Sequence, residues 1–285
     1  MTKGRKKRKK QVSLSQAMIA ILLVVGIFYC YNRLDQKAGA TTKSYPTVGT
    51  ADIGDPRRTV TNNSLPNQEK EYTGMILSFN RSLHIPNWVA WELTADEVKG
   101  TNKRVDNFRP DPRIDGCATL EDYRNSGYTR GHMAPSADMK WSVKAMDEAC
   151  YLSNIVPQLS KLNSGVWSTI ESKCREWALR DSAIYIVCGP VIDGNPLDYI
   201  GRSGVYVPSS FFKAVISPYA DPPLGIGFIV KHKGHKGGMQ TAPVCIDEIE
   251  KVTGHDFFSS LPDSLENFLE AQNNFLHWNF DNNDR

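Results

Sequence analysis

The chain has 285 residues, of which 40% are hydrophobic and 23% are charged. This composition excludes a globally disordered chain, and the length accommodates one sizeable domain with appendages. Seven Lys and Arg residues lie within the first ten positions, so removing them from the net charge of +3 leaves −4 for the remainder. A mildly acidic body cannot hold a polyanion by bulk charge, which argues against a pure nucleic-acid-binding module.

The basic block is followed by an uncharged apolar run, Ala17–Tyr31. Its 15 residues suit a signal peptide, whereas a membrane span needs about 20 and requires polar neighbours to be included. Both interpretations stay open, and charged residues between the run and the small-residue site Ala38–Ala40 favour an uncleaved anchor. Either way the body is predicted to be exported, anchored to the cytoplasmic membrane or, if cleaved near Ala40, secreted or periplasmic.

The next segment, residues 41–71, is rich in Thr, Ser, Asn, Pro and Asp. Such a composition predicts a flexible linker between the N-terminal segment, residues 1–40, and a folded domain at residues 72–265. Residues 266–285 are assigned to a C-terminal tail that frays at its end. Apolar side chains of this tail could still dock on the domain: Phe275, Leu276, Trp278 and Phe280.

Six short apolar runs in the domain predict strands: Met75–Phe79, Trp88–Leu93, Ala183–Cys188, Val205–Val207, Phe211–Ile216 and Ile226–Val230. Helical periodicity predicts three helices, at Val143–Tyr151, Val166–Leu179 and Val244–Val252. Strands and helices do not alternate regularly. The sequence therefore predicts an α+β fold with an antiparallel or mixed central sheet and flanking helices, and not a doubly wound parallel sheet.

Cysteine usage leaves the redox state open. Cys30 lies in the apolar run, and five further cysteines follow it in the body. Export permits disulfides, and no CxxC or CxxH spacing indicates a zinc site. One or two structural bridges and simple buried thiols are both consistent with the sequence.

Three polar regions of the domain carry most of its reactive side chains. They are Arg104–Pro112 (RVDNFRPDP), Tyr128–Asp138 (YTRGHMAPSAD), and Tyr151–Gln158 (YLSNIVPQ) with the following Leu162–Trp167 (LNSGVW) and Glu171. Together they supply what phosphodiester hydrolysis requires: a base for water, cationic groups for the phosphate, and a means of carrying the leaving oxygen.

His132 is the only histidine in this polar block. Its ordinary pKa, near about 6.5, suits a proton acceptor at neutral pH. Taken alone, a structural histidine is the simpler interpretation. Gly131 and Pro135 beside it predict a fixed turn that aims the ring instead of burying it.

Arg104 and Arg130 are the candidate phosphate contacts, because a guanidinium offers forked, permanently charged donors to two oxygens. The alternative for either arginine is an exposed ion pair with an acidic residue close by in sequence, and the candidates are Asp106, Asp111 and Asp122.

Asn163 directly precedes the helical pattern of Val166–Leu179, where Asn commonly serves as an N-cap. Its amide oxygen is also a suitable ligand for Mg²⁺, which keeps most of its waters. Glu171 lies near the same helical stripe and could accept hydrogen bonds from such waters, the alternative being an exposed helix carboxylate.

The segments Tyr128–His132, Leu152–Gln158 and Leu162–Trp167 followed by Glu171 resemble the DNA/RNA non-specific endonuclease family. That family includes secreted bacterial nucleases and mitochondrial endonuclease G. The resemblance covers about residues 72–262, including Asp247–Gly254 and Phe257–Asp263. It implies a ββα-metal (His-Me finger) active site.

Carried over position by position, the resemblance implies that His132 is the general base, Asn163 the sole direct protein ligand of Mg²⁺, and Glu171 a holder of the metal's waters. Mn²⁺ is expected to substitute for Mg²⁺. The implied substrates are DNA and RNA, cut with little sequence specificity. The remaining implied site residues are Arg104 and Arg130 at the phosphate, and Asn154 as a support near His132 and the metal.

One position departs from the family pattern. The Asp of the family's Asp-Arg-Gly-His motif is replaced by Thr129 in this chain. Thr keeps hydrogen-bonding capacity but lacks the negative charge, which bears on the rate more than on the reaction class. Two alternatives follow: an inactive surface adaptor that keeps the fold, and a phosphodiesterase for small substrates. Neither a homodimer nor a protein inhibitor can be read from the sequence, and the segment His232–Gly238 (HKGHKGG) is predicted to be a solvated turn.

Overall fold

The computed structural model describes residue 46 and residues 53–278. The predicted anchor or signal segment, residues 1–40, and Phe280 of the tail lie outside the described residues. Among the helices of the described part, none is both long enough and apolar enough to cross a membrane.

Eleven strands are present in the described part of the chain. In chain order they are β1 (Gln68–Glu71), β2 (Ile76–Asn80), β3 (Ile85–Thr94), β4 (Thr129–His132), β5 (Ile155–Gln158), β6 (Ala183–Pro190), β7 (Asp198–Ile200), β8 (Val205–Val207), β9 (Ser210–Ser217), β10 (Leu224–Lys231) and β11 (Pro243–Val244). Seven of them form one sheet in the order β1-β2-β3-β6-β9-β10-β11, with every neighbouring pair antiparallel. The pairs β4-β5 and β7-β8 form two separate ribbons.

The helices lie between and after these strands. They are α1 (Ala95–Val98), α2 (Leu120–Tyr123), α3 (Val143–Glu148), α4 (Ser160–Leu162), α5 (Ser168–Asp181), α6 (Ile246–Thr253) and α7 (Asp263–Glu270). A π-helical turn, Asn163–Trp167, joins α4 to α5. Its wide turn includes Gly165 in a non-helical conformation, so the chain changes direction just where the candidate metal ligand Asn163 stands.

The central sheet is buried on both faces. Successive side chains of a strand point to opposite sides, so β3 serves two cores: Val89 and Trp91 face one, and Trp88 and Ala90 face the other. Helix α5 covers the first core with Ile170, Cys174 and Trp177. The second core is closed by α6 and α7, whose buried residues are Ile246, Ile249, Leu265 and Leu269.

The predicted α+β class with an antiparallel central sheet and flanking helices is confirmed. All six predicted strands and all three predicted helices are present, with bounds that differ by a few residues. The helix predicted at Val143–Tyr151 ends earlier, at Glu148, and the one predicted from Val166 begins at Ser168 because the π-helical turn occupies its start.

The packed domain begins before Tyr72, so part of the predicted linker is instead ordered structure. Strand β1 pairs along its length with β2. Thr61 is buried, accepting a hydrogen bond from Trp88 Nε1 (2.9 Å) and donating one to Ser78 Oγ (3.1 Å). Polar residues of this segment therefore meet their partners inside the domain, and their composition alone resembles that of a solvated linker.

The predicted tail is also partly packed. Helix α7 crosses the expected boundary at residue 265, and Trp278 is buried against Trp177, with ring centroids 4.6 Å apart. Trp278 Nε1 donates to the carbonyl oxygen of Gly225 (3.3 Å). Leu276, by contrast, remains exposed. The docking expected of the tail therefore occurs through Trp278 and through Phe275, which is partly buried against the first core with its ring centroid 6.4 Å from that of Phe228.

The cysteines of the described part are free thiols: Cys117, Cys150, Cys174, Cys188 and Cys245. Cys150, Cys174 and Cys188 are buried in the first core or beside it. Of the two interpretations left open by the sequence, buried thiols is the one observed for these positions. Within residues 53–278, packing and hydrogen bonding rather than disulfides stabilise the structure.

We expect acid to destabilise the protein in part through His255. Burial lowers the pKa of His255 to about 4, whereas an unfolded imidazole titrates near about 6.5. Between these values the unfolded chain binds a proton that the folded chain does not, so this stability is present above about pH 6.5 and is lost as the pH falls. His255→Gln should shrink the difference in unfolding free energy between neutral pH and about pH 5 by about 1–2 kcal/mol in urea titrations.

His277→Gln is the matched control, because His277 lies on the surface and its replacement should leave that difference unchanged. The same pH dependence in His255→Gln as in the wild type would contradict the prediction.

Candidate active site

The ribbon β4-β5 brings the two central sequence segments together. Thr129 pairs with Gln158, and His132 with Ile155, in antiparallel register. Gly131 lies so close to the Gln158 side chain that a Cβ at this position would collide with it. The glycine of Thr-Arg-Gly-His thus allows this close packing, and Arg130 and His132, two residues apart on β4, lie together on the opposite face of the strand.

Asn154 fixes the backbone that follows His132. Its side-chain oxygen accepts from the backbone N–H of Ala134 (2.9 Å), and its Nδ2 donates to the carbonyl oxygens of Ala134 and Ala149 (2.9 Å each). The side chain is fully buried, so these bonds are shielded from water. Asn154 therefore holds the turn after His132, and it does not itself line the cleft described below.

His132 is partly buried beneath Phe108, whose ring centroid lies 5.2 Å from that of the imidazole. Within the described part of the chain, Nε2 has no hydrogen-bond partner. Burial, together with the positive charges of Arg104 and Arg130, lowers the pKa of His132 to about 4, against the opposing influence of Asp106. The imidazole is consequently neutral at pH 7, with a ring nitrogen free to accept a proton.

Asn163 occupies the first position of the π-helical turn, not the N-cap of a regular helix. Its Nδ2 donates to Thr129 Oγ1 (3.1 Å), and the same hydroxyl donates its proton to the carbonyl oxygen of Gln158 (2.9 Å). Because that proton is already committed, the hydroxyl can only accept from Asn163. This arrangement fixes the orientation of the amide and leaves its oxygen available to a cation.

Glu171 lies on α5, partly buried beside a cluster of charges. Burial raises the pKa of Glu171 to about 7, Lys213 and Arg175 act to lower it, and Asp138 acts to raise it. Arg175 forms an ion pair with the buried Asp138 (2.9 Å). Two carboxylates are therefore balanced by two cations beneath the candidate metal position.

Lys213 is the buried cation of this cluster and had no role in the sequence-based prediction. It is fully buried, with Nζ 4.6 Å from the ring centroid of Trp167 and 4.9 Å from that of Trp91. Trp167 in turn donates from Nε1 to the carbonyl oxygen of His132 (3.4 Å). One signal was present in the sequence, because Lys213 is the charged residue within the apolar run Phe211–Ile216.

The two candidate phosphate-binding arginines differ in their surroundings. Arg104 is exposed and pairs with Asp106 (2.9 Å), so the simple ion pair considered from the sequence does form. Arg130 instead places its guanidinium over the ring of Phe108, 4.3 Å from the centroid. The other acidic residues that were considered as partners bond elsewhere: Asp111 with Ser153, and Asp122 with Thr119 and Ser203.

A polar cleft of about 340 Å³ collects five of the six sequence-predicted site residues: Arg104, Arg130, His132, Asn163 and Glu171. The sixth, Asn154, lies behind it. A second groove, of about 720 Å³, shares Arg104 and Arg130 and adds the aromatic rings of Phe108 and Tyr128. The arrangement combines a neutral base, a hard oxygen ligand and two guanidinium groups on one continuous surface.

The family model of the DNA/RNA non-specific endonucleases matches residues 55–264. The chain belongs to this family. The resemblance found in the polar segments is thereby confirmed, and the match starts within the region that the composition had assigned to a linker.

Curated relatives of this endonuclease-family chain include "Nuclease EXOG, mitochondrial" of Mus musculus, 36% identical over 217 residues that cover 70% of this chain and 59% of that protein. "Nuclease" of Nostoc sp. is 32% identical, covering 69% of this chain and 75% of that protein. The chain thus matches less than two thirds of the length of the EXOG proteins.

A solved structure with a similar fold is titled "Crystal structure of the EndoG/EndoGI complex: Mechanism of EndoG inhibition". It aligns with a TM-score of 0.64 and 27% identity, covering 70% of this chain and 89% of that chain. The α+β architecture around the β4-β5 ribbon is therefore shared with endonuclease G.

We expect Asn154 and Asn163 to differ sharply in their effect on stability. Asn154→Ala removes three buried hydrogen bonds and leaves backbone groups unpaired, which should lower the free energy of unfolding by about 2–4 kcal/mol. Asn163→Ala removes one partly buried bond and should lower it by less than about 1 kcal/mol. Urea titrations of both variants test this difference, and equal losses would contradict the separation of a structural from a site asparagine.

Proposed function

We propose that this chain is a metal-dependent endonuclease that hydrolyses phosphodiester bonds of DNA and RNA with little sequence preference. The observation that carries the proposal is the convergence, in one polar cleft, of the neutral His132 imidazole and the Asn163 amide with two guanidinium groups. Family membership supports the same reaction class.

In the proposed reaction, the His132 imidazole takes a proton from the attacking water, since it is neutral and lines the cleft. Arg104 and Arg130 bind the phosphate oxygens. Mg²⁺, with Mn²⁺ as a substitute, would be held by Asn163 and its waters by Glu171, where it supplies positive charge for the leaving 3′ oxygen. Asn154 keeps the His132 turn in position through its bonds to Ala134.

The residues present fit a hydrated hard cation. The amide oxygen of Asn163 is turned away from Thr129, and Glu171 shares the cleft with it. Oxygen donors of this kind suit Mg²⁺, which gives up few of its waters. Products with a 5′ phosphate are expected, because the 3′ oxygen is the proposed leaving group.

The adjoining groove supports a polymer over a small diester as substrate. Three arginines and three aromatic rings line it together with Asp106: Arg104, Arg124, Arg130, Phe108, Tyr123 and Tyr128. Such surfaces bind nucleic-acid backbones by charge and bases by stacking, without reading the sequence. Local arginines thus supply the affinity that the acidic body lacks in bulk.

Export of the enzyme is part of the proposal and rests on the basic block and the apolar run Ala17–Tyr31. Cell fractionation of the full chain tests it. Recovery of the protein in the cytoplasm would contradict export, and a membrane fraction or a shortened extracellular form would separate an anchor from a cleaved signal.

Plasmid nicking is the direct test of the proposed activity. Wild-type protein should nick plasmid DNA with Mg²⁺ and lose this activity in EDTA, and His132→Ala should be slower by about 10²–10⁴-fold because the general base is removed. His277→Ala is the matched control and should retain activity, since His277 lies on the surface outside the cleft.

Absent or metal-independent nicking by pure wild-type protein would favour the inactive adaptor. Cleavage of a chromogenic diester while plasmid DNA stays intact would favour the small-substrate phosphodiesterase.

Thr129 should act through the orientation of Asn163. Thr129→Val removes the hydroxyl that holds the Asn163 amide, and the affinity for Mn²⁺ measured by calorimetry should fall about 2–10-fold, as expected for one hydrogen bond. Thr129→Ser keeps the hydroxyl and should restore affinity. Equal affinity in wild type and Thr129→Val would show that this hydrogen bond does not position the ligand.

A further inference from the structure

Three carboxylates meet on the face of the sheet opposite the polar cleft. Asp247 and Glu250 belong to α6, and Glu270 is the last residue of α7. One oxygen from each of the three lies within 4.8 Å of the others. Both helices pack on the second core, so this carboxylate cluster (Asp247, Glu250 and Glu270) is separate from the site around Asn163.

Glu270 is the buried member of the cluster, with only 6% of its surface exposed. Its Oε1 has no hydrogen-bond partner within the described part of the chain, and the same holds for Oε1 of Glu266, one turn earlier on α7. A buried carboxylate oxygen without a partner costs free energy, and native proteins rarely leave one so. The geometry therefore lacks a positive or hydrogen-bonding group at this point.

The surrounding charges increase that cost. The carboxylates of Glu250, Glu266, Asp247 and Asp256 all act on Glu270 through their negative charges. No ion pair within residues 53–278 links the cluster to a Lys or Arg. Like charges this close cannot all be ionised without compensation, so either protons or a cation must occupy the cluster.

The donor set points to a hard cation, because carboxylate oxygens without nitrogen or sulfur ligands suit Ca²⁺ and Mg²⁺. Calcium accepts six to eight oxygens in irregular geometry at about 2.3–2.6 Å, so two such bonds can join oxygens that lie within 4.8 Å of one another. Glu250 keeps one oxygen on the backbone N–H of Phe257 (2.7 Å) and offers the other. Asp247 is exposed, so water can complete the coordination.

We propose that Asp247, Glu250 and Glu270 form a calcium site that joins α6 to α7, with Glu266 positioned to supply a further oxygen. The bound ion replaces the repulsion between carboxylates of the two helices by bonds from both helices to one cation. It is a structural site on the second core, and it takes no part in the proposed hydrolysis.

The test uses the full chain carrying Asn163→Ala, which removes the ligand proposed for the other metal position. Ca²⁺ should bind with a stoichiometry of one by calorimetry. At roughly 100 times the dissociation constant it should raise the melting temperature by about 5–10 °C. Adding Glu270→Gln should abolish this rise. Adding Glu248→Gln, at an exposed position of α6 outside the cluster, should leave it intact.

Asp247→Asn alters an exposed residue and provides the same comparison if Glu270→Gln does not fold. The proposal is overturned by the absence of a calcium-dependent rise, or by an undiminished rise in the cluster variants. An equal rise with Mg²⁺ would overturn the assignment to calcium. Because Asn163 is already replaced, none of these outcomes depends on whether the protein is a nuclease.

Discussion

The pairing of β4 with β5 is the constraint on which the candidate site depends. These four-residue strands place His132 opposite Ile155 and Thr129 opposite Gln158. The ribbon thereby fixes the imidazole at one end and, through the Thr129 hydroxyl, the Asn163 amide at the other. A slip of one residue would turn every side chain of β4 to the opposite face, and Gly131 would no longer lie against Gln158.

The charges beneath the site are balanced within the protein before any cation binds. Asp138 and Glu171 face Arg175 and Lys213, and Lys213 is held between two tryptophan rings. Breaking one member of such a cluster leaves an uncompensated buried charge, which is more costly than never having buried the pair. The positive charge of Lys213 on β9 therefore stabilises the ionised form of Glu171 on α5 and links the two elements electrostatically.

The central strands and the longer helices could be predicted from the sequence. The sheet is buried on both faces, so its strands are apolar runs, and the helices that cover it carry apolar residues at helical spacing. Strand β4 was not predicted as a strand, since Thr-Arg-Gly-His has neither alternation nor apolar residues, and these positions were recognised only as a motif. The role of Lys213 depends on contacts with residues far away in the chain, which local patterns do not encode. The composition of residues 53–71 predicts a linker, because a buried polar residue such as Thr61 cannot be distinguished from a solvated one by residue type alone.

The burial of Lys213 has a practical consequence. A primary amine with no exposed surface, enclosed by Trp91 and Trp167, is out of reach of acylating reagents as long as the first core stays closed. Exposed lysines are accessible to such reagents without any opening. The slower labelling of Lys213 therefore measures how often the first core opens. The rate at which Lys213 is labelled thus reports local opening where α5 and β9 meet beneath the cleft.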